Sequence, residues 1–459
     1  MSDLKNFKLA IFVRDQKYYE QILKYLEKST KEIDNLSITF IADHELKTNY
    51  NFINTDIYTR KIDVKISEKD FYLTLNNDIW KNKKVYKADP RYISKEKKIT
   101  WHDQYKLYET CKVIFEEEQF DLVFMGAAAY LNWIVPHLVA LEMNILSYKL
   151  SFYDYINPYF EGVRVWFCPD PFWDLRVNSR FDFKWEKNEV QKHINSLRKS
   201  LIEDNFNLDQ NALTLRENYT PKKFKNIIKN IVKLLVRSDH LSKIRLRAFI
   251  ESKKNSKIYT EIKNLPNKFL LFPLNMPYDE QLTLRAPGFE NNNKSIKYIL
   301  ENIPSDCGLV IKEHPVNPGM MNYKDLLKFK NQYSNFFVIS PSIPLRDVLF
   351  HSKGLLTINS TAGLESLMVN KNVLALGMGY YKDLESVYTI DSKPIKEILN
   401  EISSGQNIVQ SNEIDDLLER ILNQTHPAPN LYPDKILDID IAMNDALCFK
   451  INQIIKFRD

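Results

Sequence analysis

The sequence predicts an α/β protein built from two parallel-sheet domains, and three observations carry that prediction. Short apolar, β-rich runs alternate with amphipathic helical stretches up to about residue 170. The alternation then gives way to charged, helical sequence and resumes beyond Pro266 with shorter, cleaner elements. Seven of the ten glycines lie between Gly288 and Gly379, so close backbone approach is expected in the later stretch. Strands alternating with helices of this kind indicate parallel pairing through crossover connections.

In chain order, the first apolar run is Lys8–Val13, followed by an amphipathic helix over Lys17–Ser29 and a second run at Leu36–Ala42. The same unit recurs as a helix over Trp101–Glu118, a strand at Asp121–Gly126, a helix over Ala127–Met143 and a strand at Ile145–Leu150. Glu186–Asn205 reads as a charged helix. Lys222–Lys257 is strongly basic, with twelve Lys/Arg against Asp239 and Glu251, and Ile227, Ile228, Ile231, Leu234 and Leu235 recur on it at helical spacing. Such a segment is read either as a solvated helix bridging two domains or as a contact for an anionic membrane surface or polyanionic acceptor. No recognition motif accompanies the charge, so nucleic acid is not expected as a partner.

Beyond Pro266 the elements are Phe269–Leu274, Lys294–Asn302, Gly308–Lys312, Tyr323–Gln332, Phe336–Ile339, Leu345–Phe350, Gly354–Ile358, Gly363–Val369 and Val373–Leu376. This second α/β domain ends in helices Glu413–Thr425 and Ile439–Phe457. The expected division is an N-terminal Rossmann-like domain over 1–180, a helical basic connection over 181–265, a C-terminal Rossmann-like domain over 266–435 and a terminal helix over 436–459. Two Rossmann-like domains facing each other across a cleft would make a GT-B type arrangement.

Composition narrows the function classes. The chain has 459 residues, a formal charge of +5, 44% hydrophobic and 27% charged residues, which suits a globular protein able to bury more than one core. A Walker A loop and a G-x-G-x-x-G fingerprint are both missing, which argues against P-loop and standard dinucleotide chemistry. Cys111, Cys168, Cys307 and Cys448 are widely separated and have no zinc-site spacing, so no metal and a reducing compartment are expected. The first residues lack the apolar core of a signal peptide, and no stretch approaches the ~20 apolar residues of a membrane span. The expected location is the cytoplasm, with peripheral contact at the inner membrane as a further expectation.

Ligands of open α/β sheets bind beyond the carboxyl ends of strands, so the residues directly after each strand are the first candidates. Asn275 and Asp279 follow the strand FLLFPL, where a carboxylate could serve as nucleophile or base, or simply cap a turn after Pro277. Lys312-Glu313-His314-Pro315 ends the strand LVI; the histidine could donate to a phosphate, or be a satisfied structural residue. Asn359-Ser360-Thr361, with Gly363 and Glu365, joins a strand to a helix start whose free N–H groups and hydroxyls suit a phosphate, and Glu365 suits ribose hydroxyls. An ordinary Ser/Thr cap with an acidic first turn looks the same. Glu161, beside Gly162 near the end of the first domain, could be a general base or part of a plain turn.

Together the N-x-x-x-D of Asn275 to Asp279, the K-E-H-P of Lys312 to Pro315 and the N-S-T-x-G-x-E of Asn359 to Glu365 resemble the capsule polysaccharide biosynthesis family, which includes retaining β-Kdo glycosyltransferases. Family members usually carry glutamine where this chain has Asn275, and Glu161-Gly162 is a shortened likeness of a family glutamate-glycine motif. The resemblance implies a GT-B fold, a CMP-activated 3-deoxy-ulosonate donor such as CMP-Kdo, a glycan or glycolipid acceptor, and retention of configuration without cofactor or metal. It makes Asp279 the nucleophile of a covalent glycosyl-enzyme intermediate and His314 the stabiliser of the CMP phosphate. Ser360, Thr361 and Glu365 hold phosphate and ribose, and Glu161 activates the acceptor hydroxyl.

Two rival classes fit the same sequence less fully. An inverting, sialyltransferase-like CMP-sugar enzyme or another nucleotide-sugar transferase would use the His-Pro pair without a covalent intermediate. A noncatalytic scaffold of a glycan-assembly complex would use the basic helix and dispense with Asp279.

Overall fold

A computed structural model describes residues 6–76, 78–80, 84–89, 92, 99–126, 130–150, 162–167, 184–202, 240–276, 282, 285–315, 318–406, 408–423, 425–427 and 436–458. The chain forms two compact units, one of Met1–His193 with Leu418–Asp459, the other of Ile194–Leu417.

The first unit holds strands β1 (Phe7–Phe12), β2 (Leu36–Ala42), β3 (Asn51–Asn54), β4 (Leu122–Gly126), β5 (Leu146–Leu150) and β6 (Gly162–Phe167). With Thr425–Pro427, named β13 because the strands of the second unit come between, they form one sheet in the order β13-β6-β5-β4-β1-β2-β3. From β3 to β5 the pairing is parallel, while β6 and β13 run antiparallel at one edge. Leu9, Ile11, Phe40 and Phe124 are wholly buried, as expected where helices cover both faces of a parallel sheet. The helix Gln16–Glu32 opens on Asp15, whose carboxylate accepts from Tyr18 N at 2.8 Å.

The second unit holds β7 (Phe269–Pro273), β8 (Gly308–Lys312), β9 (Phe336–Ile339), β10 (Gly354–Thr357), β11 (Asn372–Ala375) and β12 (Val387–Thr389). All neighbours in the order β12-β11-β10-β7-β8-β9 are parallel. Leu270, Phe272, Leu309, Ile311, Val338, Leu356 and Leu374 form its core with Ile296, Ile299, Leu326, Ile398 and Ile402 from the covering helices. At ~25 cal/mol per Å² of apolar surface, each such side chain contributes on the order of 2 kcal/mol.

The α/β fold class is therefore as expected, with two units each built on a parallel, Rossmann-like sheet. In each sheet the strand sequence runs outward in one direction and then restarts on the other side of the first strand, between β1 and β4 and between β7 and β10. Those two reversals are the switch points at which such sheets bind ligands.

Several elements sharpen the sequence reading. The edge strands β3, β12 and β13 are only three or four residues long and are strands through their neighbours. The last helix, Ile436–Arg458, does not close the second domain but packs in the first unit. Met443, Leu447, Ile451 and Ile454 give it a buried stripe, Lys28 N donates to Asn444 Oδ1 at 3.0 Å, and Lys28 Nζ pairs with Asp445 at 2.6 Å. Within Lys222–Lys257 the helix His240–Asn255 is described; residues 222–239 lie outside the described residues. Among the described residues no helix is long and apolar enough to cross a membrane.

Candidate active site

The second sheet brings residues of two sequence motifs to its switch point and a third motif to the adjacent strand. β7 and β10 are neighbours, so the residues that follow them leave the sheet side by side. Asn275, after β7, donates from Nδ2 to Oδ1 of Asn359, after β10, at 3.3 Å. Both are buried. Asn359 in turn donates to the Met378 carbonyl at 3.4 Å, beyond β11, and Asn292 Nδ2 donates to the Asn275 carbonyl at 3.0 Å. A short amide side chain at position 275 thus bridges the reversal itself, 84 residues along the chain from its partner.

The neighbouring strand β8 brings Lys312, Glu313, His314 and Pro315 to the same end, held in register by Leu274 N donating to the Lys312 carbonyl at 2.9 Å. Lys312 is 3% exposed and its ammonium turns inward to the Pro341 carbonyl at 3.1 Å. Glu313 is 2% exposed. Its carboxylate accepts from Asn255 Nδ2 at 3.2 Å, Gly319 N at 3.2 Å and Met321 N at 2.9 Å. Burial raises its pKa, and those hydrogen bonds oppose the rise. Glu313 therefore shapes the loop after β8 and fastens it to the helix His240–Asn255. Gly319 sits at φ +82°, and a Cβ there would strike the backbone of Ala248 and Ser252, which explains glycine at this crossing.

His314 and Pro315 are half-buried. Burial, assisted by the nearby Lys312 ammonium, lowers the His314 pKa to about 4, so the ring is neutral at physiological pH. A neutral imidazole still has one N–H to offer an anion.

On β10 the turn into the helix Ala362–Met368 is held by Thr357, whose Oγ1 accepts from Ser360 N at 3.0 Å and lies 3.1 Å from Ser360 Oγ. Thr361 makes no side-chain capping bond, so its hydroxyl is not spent on the helix start. The Ser360 carbonyl accepts from Gly363 N at 3.0 Å and from Tyr381 OH at 2.6 Å. The room left by the missing Cβ of Gly363 is filled by the Tyr381 ring. Glu365, partly buried, lies in the first turn of this helix.

The structure thus brings together Asn275, Lys312, Glu313, His314, Pro315, Asn359, Ser360, Thr361, Gly363 and Glu365 at the carboxyl ends of adjacent strands in one unit. Asp279 and Glu161 lie outside the described residues. Three further residues belong to the assembly and were not singled out from the sequence. Thr357 and Tyr381 shape the Ser360 turn, and Arg285, buried at 3% exposure, accepts from Met378 N at 2.7 Å through its carbonyl. The Tyr-Tyr pair directly after Gly379 was the available signal for Tyr381; nothing local marks Arg285. Among the described residues no three His, Cys, Asp or Glu side chains converge as metal ligands.

Comparison with known proteins gives three results. The family described as capsule polysaccharide biosynthesis protein matches residues 202–401. The capsule polysaccharide modification protein LipB of Neisseria meningitidis is 31% identical over 122 residues, 25% of this chain and 29% of that protein. The capsule polysaccharide export protein KpsS of Escherichia coli is 35% identical over 81 residues, 17% of this chain and 21% of that protein. The chain spans under a third of the length of these curated relatives. Among solved structures, the KpsC β-Kdo 2,7 transferase of Thermosulfurimonas dismutans aligns over 90% of this chain and 98% of its own, at 10% identity and a TM-score of 0.36. The UDP-GlcNAc 2-epimerase of Methanocaldococcus jannaschii aligns over 91% and 98%, at 13% identity and a TM-score of 0.26.

Proposed function

We propose, from the match of residues 202–401 to the family described as capsule polysaccharide biosynthesis protein, that this chain is a retaining glycosyltransferase. It moves a Kdo-like 3-deoxy-ulosonate from a CMP-sugar to a surface-glycan or glycolipid acceptor. The observation that carries the reading is the Asn275–Asn359 bridge, which joins two motifs at the switch point of the second sheet, with the third on the adjacent strand.

In this reading the Asp279 carboxylate attacks the anomeric carbon of the ulosonate. The bond from that carbon to the phosphate oxygen breaks, and CMP leaves with the electron pair. The acceptor hydroxyl oxygen then attacks the same carbon, its proton passes to Glu161, and the aspartyl ester bond breaks to restore the carboxylate. Two inversions give net retention. CMP departs with its phosphate already ionised, so the departing charge is met by the neutral His314 N–H, the Ser360 and Thr361 hydroxyls and the helix start, without a metal. In this reading Glu365 accepts from ribose hydroxyls, while Lys312 and Glu313 hold the loop that carries His314.

The test is intact-protein mass spectrometry after incubation with fresh CMP-Kdo and no acceptor. The native chain is expected to gain the mass of one Kdo, and Asp279→Ala to gain none while still binding CMP. A native chain that binds CMP and forms no adduct would favour an inverting enzyme or another donor; one that binds no CMP would favour a scaffold.

The proposed place of action is the cytoplasmic side of the inner membrane, reached through the basic segment. On the helix His240–Asn255, Phe249 and Ile250 are 42% and 44% exposed close in sequence to Arg247, Lys253 and Lys254, the combination that favours anionic lipid. Exchanging Arg245, Arg247 and Lys253 for glutamate is expected to abolish co-sedimentation with vesicles containing phosphatidylglycerol. Unchanged sedimentation would remove the membrane contact.

A further inference from the structure

The helix His240–Asn255 has two unlike sides. Arg247, Phe249, Ile250, Lys253 and Lys254 are exposed, whereas Ala248, Glu251, Ser252 and Asn255, at helical spacing, meet the chain that follows β8. Three contacts fix the helix there. Gly319 passes so close to the backbone of Ala248 and Ser252 that no side chain fits between them. Glu251 Oε2 accepts from Tyr323 N at 2.7 Å, at the start of the helix Tyr323–Gln332, and its Oε1 pairs with Lys254 at 2.8 Å. Asn255, wholly buried, donates from Nδ2 to Glu313 Oε2 at 3.2 Å and to the Met321 carbonyl at 3.0 Å.

Glu313 in turn closes the loop on itself, its Oε1 accepting from Gly319 N and Met321 N. His314 lies inside that closure, directly after the residue that makes it. On the sheet side the Lys312 carbonyl is held by Leu274 N; beyond the strand end, the helix supplies the fixed point. Asn255 adds little net stability in doing so, because its own Oδ1 is buried with no partner among the described residues, and an unpaired buried acceptor offsets what a hydrogen bond contributes. Its effect is one of direction. A planar amide with both hydrogens committed holds Glu313 and Met321 at set places, and those two residues bracket His314.

We propose that Asn255 is a positioning residue of the candidate site: acting through Glu313, it sets where the His314 ring stands at the end of β8. That the ring so placed meets a CMP phosphate rests on the transferase reading; the placement itself does not.

The experiment follows the ring resonances of His314 against pH in the full chain with 13C-labelled histidine, assigned by their loss in His314→Gln. In the native chain the ring, with Lys312 as the charge that bears on it, is expected to titrate near about 4. In Asn255→Ala it is expected to titrate above about 5, toward the ordinary histidine value. Asn255→Gln, which keeps an amide N–H to offer, should lie between and guards against an alanine variant that does not fold. Ile402→Val is the control for general loosening: it thins the core of the same unit beside Gly354, at the opposite end of β10 from the site, and should leave His314 as in the native chain. A native ring that already titrates at the ordinary value, a ring unmoved in the folded Asn255 variants, or one moved equally by Ile402→Val would overturn the proposal. CMP binding in the same samples is expected to weaken at least about fivefold in Asn255→Ala and to hold in Ile402→Val. A native chain that binds no CMP while His314 responds as expected would count against the transferase reading and leave Asn255 in its positioning role.

Discussion

Glu313→Ala is expected to cost the second unit about 3 kcal/mol or more, the largest stability effect of any single substitution near the site. The carboxylate is buried, and its removal strands the Gly319 and Met321 N–H groups and one of the two Asn255 Nδ2 hydrogens, the Nδ2 keeping its bond to the Met321 carbonyl at 3.0 Å, in a place water does not reach. Each buried donor left without an acceptor costs roughly 1–3 kcal/mol, and the cavity adds to that. Part of the loss is offset, because burial already opposes the ionised carboxylate. For a unit of this size the melting temperature should fall by about 6–12 °C. Glu313→Gln, which keeps one acceptor oxygen, should fall between. Calorimetry on the three proteins checks the order, and an alanine variant as stable as the native chain would show that Glu313 does not brace the loop.

The second large effect is a pH dependence traceable to His314. Its folded pKa of about 4 lies below the ordinary histidine value of about 6.5, because of burial and the Lys312 charge. Between those values the unfolded chain binds the proton and the folded chain does not, so stability rises with pH through that window. The contribution is present in full above about pH 6.5, is lost as pH falls toward about 4, and is flat below; its full size is about 3 kcal/mol. Carboxylates titrate in part of the same range, so the measurement is a difference. Urea unfolding of the native chain and of His314→Gln from pH 4 to 7 should show a shallower slope in the variant. Equal slopes would mean that His314 is solvated as freely in the folded chain as in the unfolded one. Binding of a phosphate monoester near the ring would stabilise the protonated form, so CMP binding near pH 5 should be accompanied by proton uptake, visible as a buffer-dependent binding enthalpy.

Much of this protein could be read from its residues in order. FLLF, LVI and LLT are continuous apolar runs because both faces of their sheet are covered, and the K-E-H-P and N-S-T-x-G-x-E motifs begin where those runs end. A strand end is a local property, set by where burial stops and polar side chains begin, and so it is legible. Whether Glu313 faces a ligand or a loop is not local. Its charge and position made it a donor-binding candidate, and only the arrival of Asn255, Gly319 and Met321 around it shows that its oxygens are occupied. Gly363 is similar: its small size was legible, while the Tyr381 ring that fills the space comes from beyond β11.

By itself, then, the sequence determined the period of each element, the alternation that makes most of the strand pairing parallel and the three motifs at strand ends, because those follow from neighbours within a few residues. Only the tertiary structure decided that β7 and β10 lie side by side, so that Asn275 meets Asn359, that Asn255 meets Glu313, and that the final helix returns to the first unit. Strand order and helix docking minimise exposed apolar surface and unpaired polar groups over the whole chain at once. No short window of residues carries that sum.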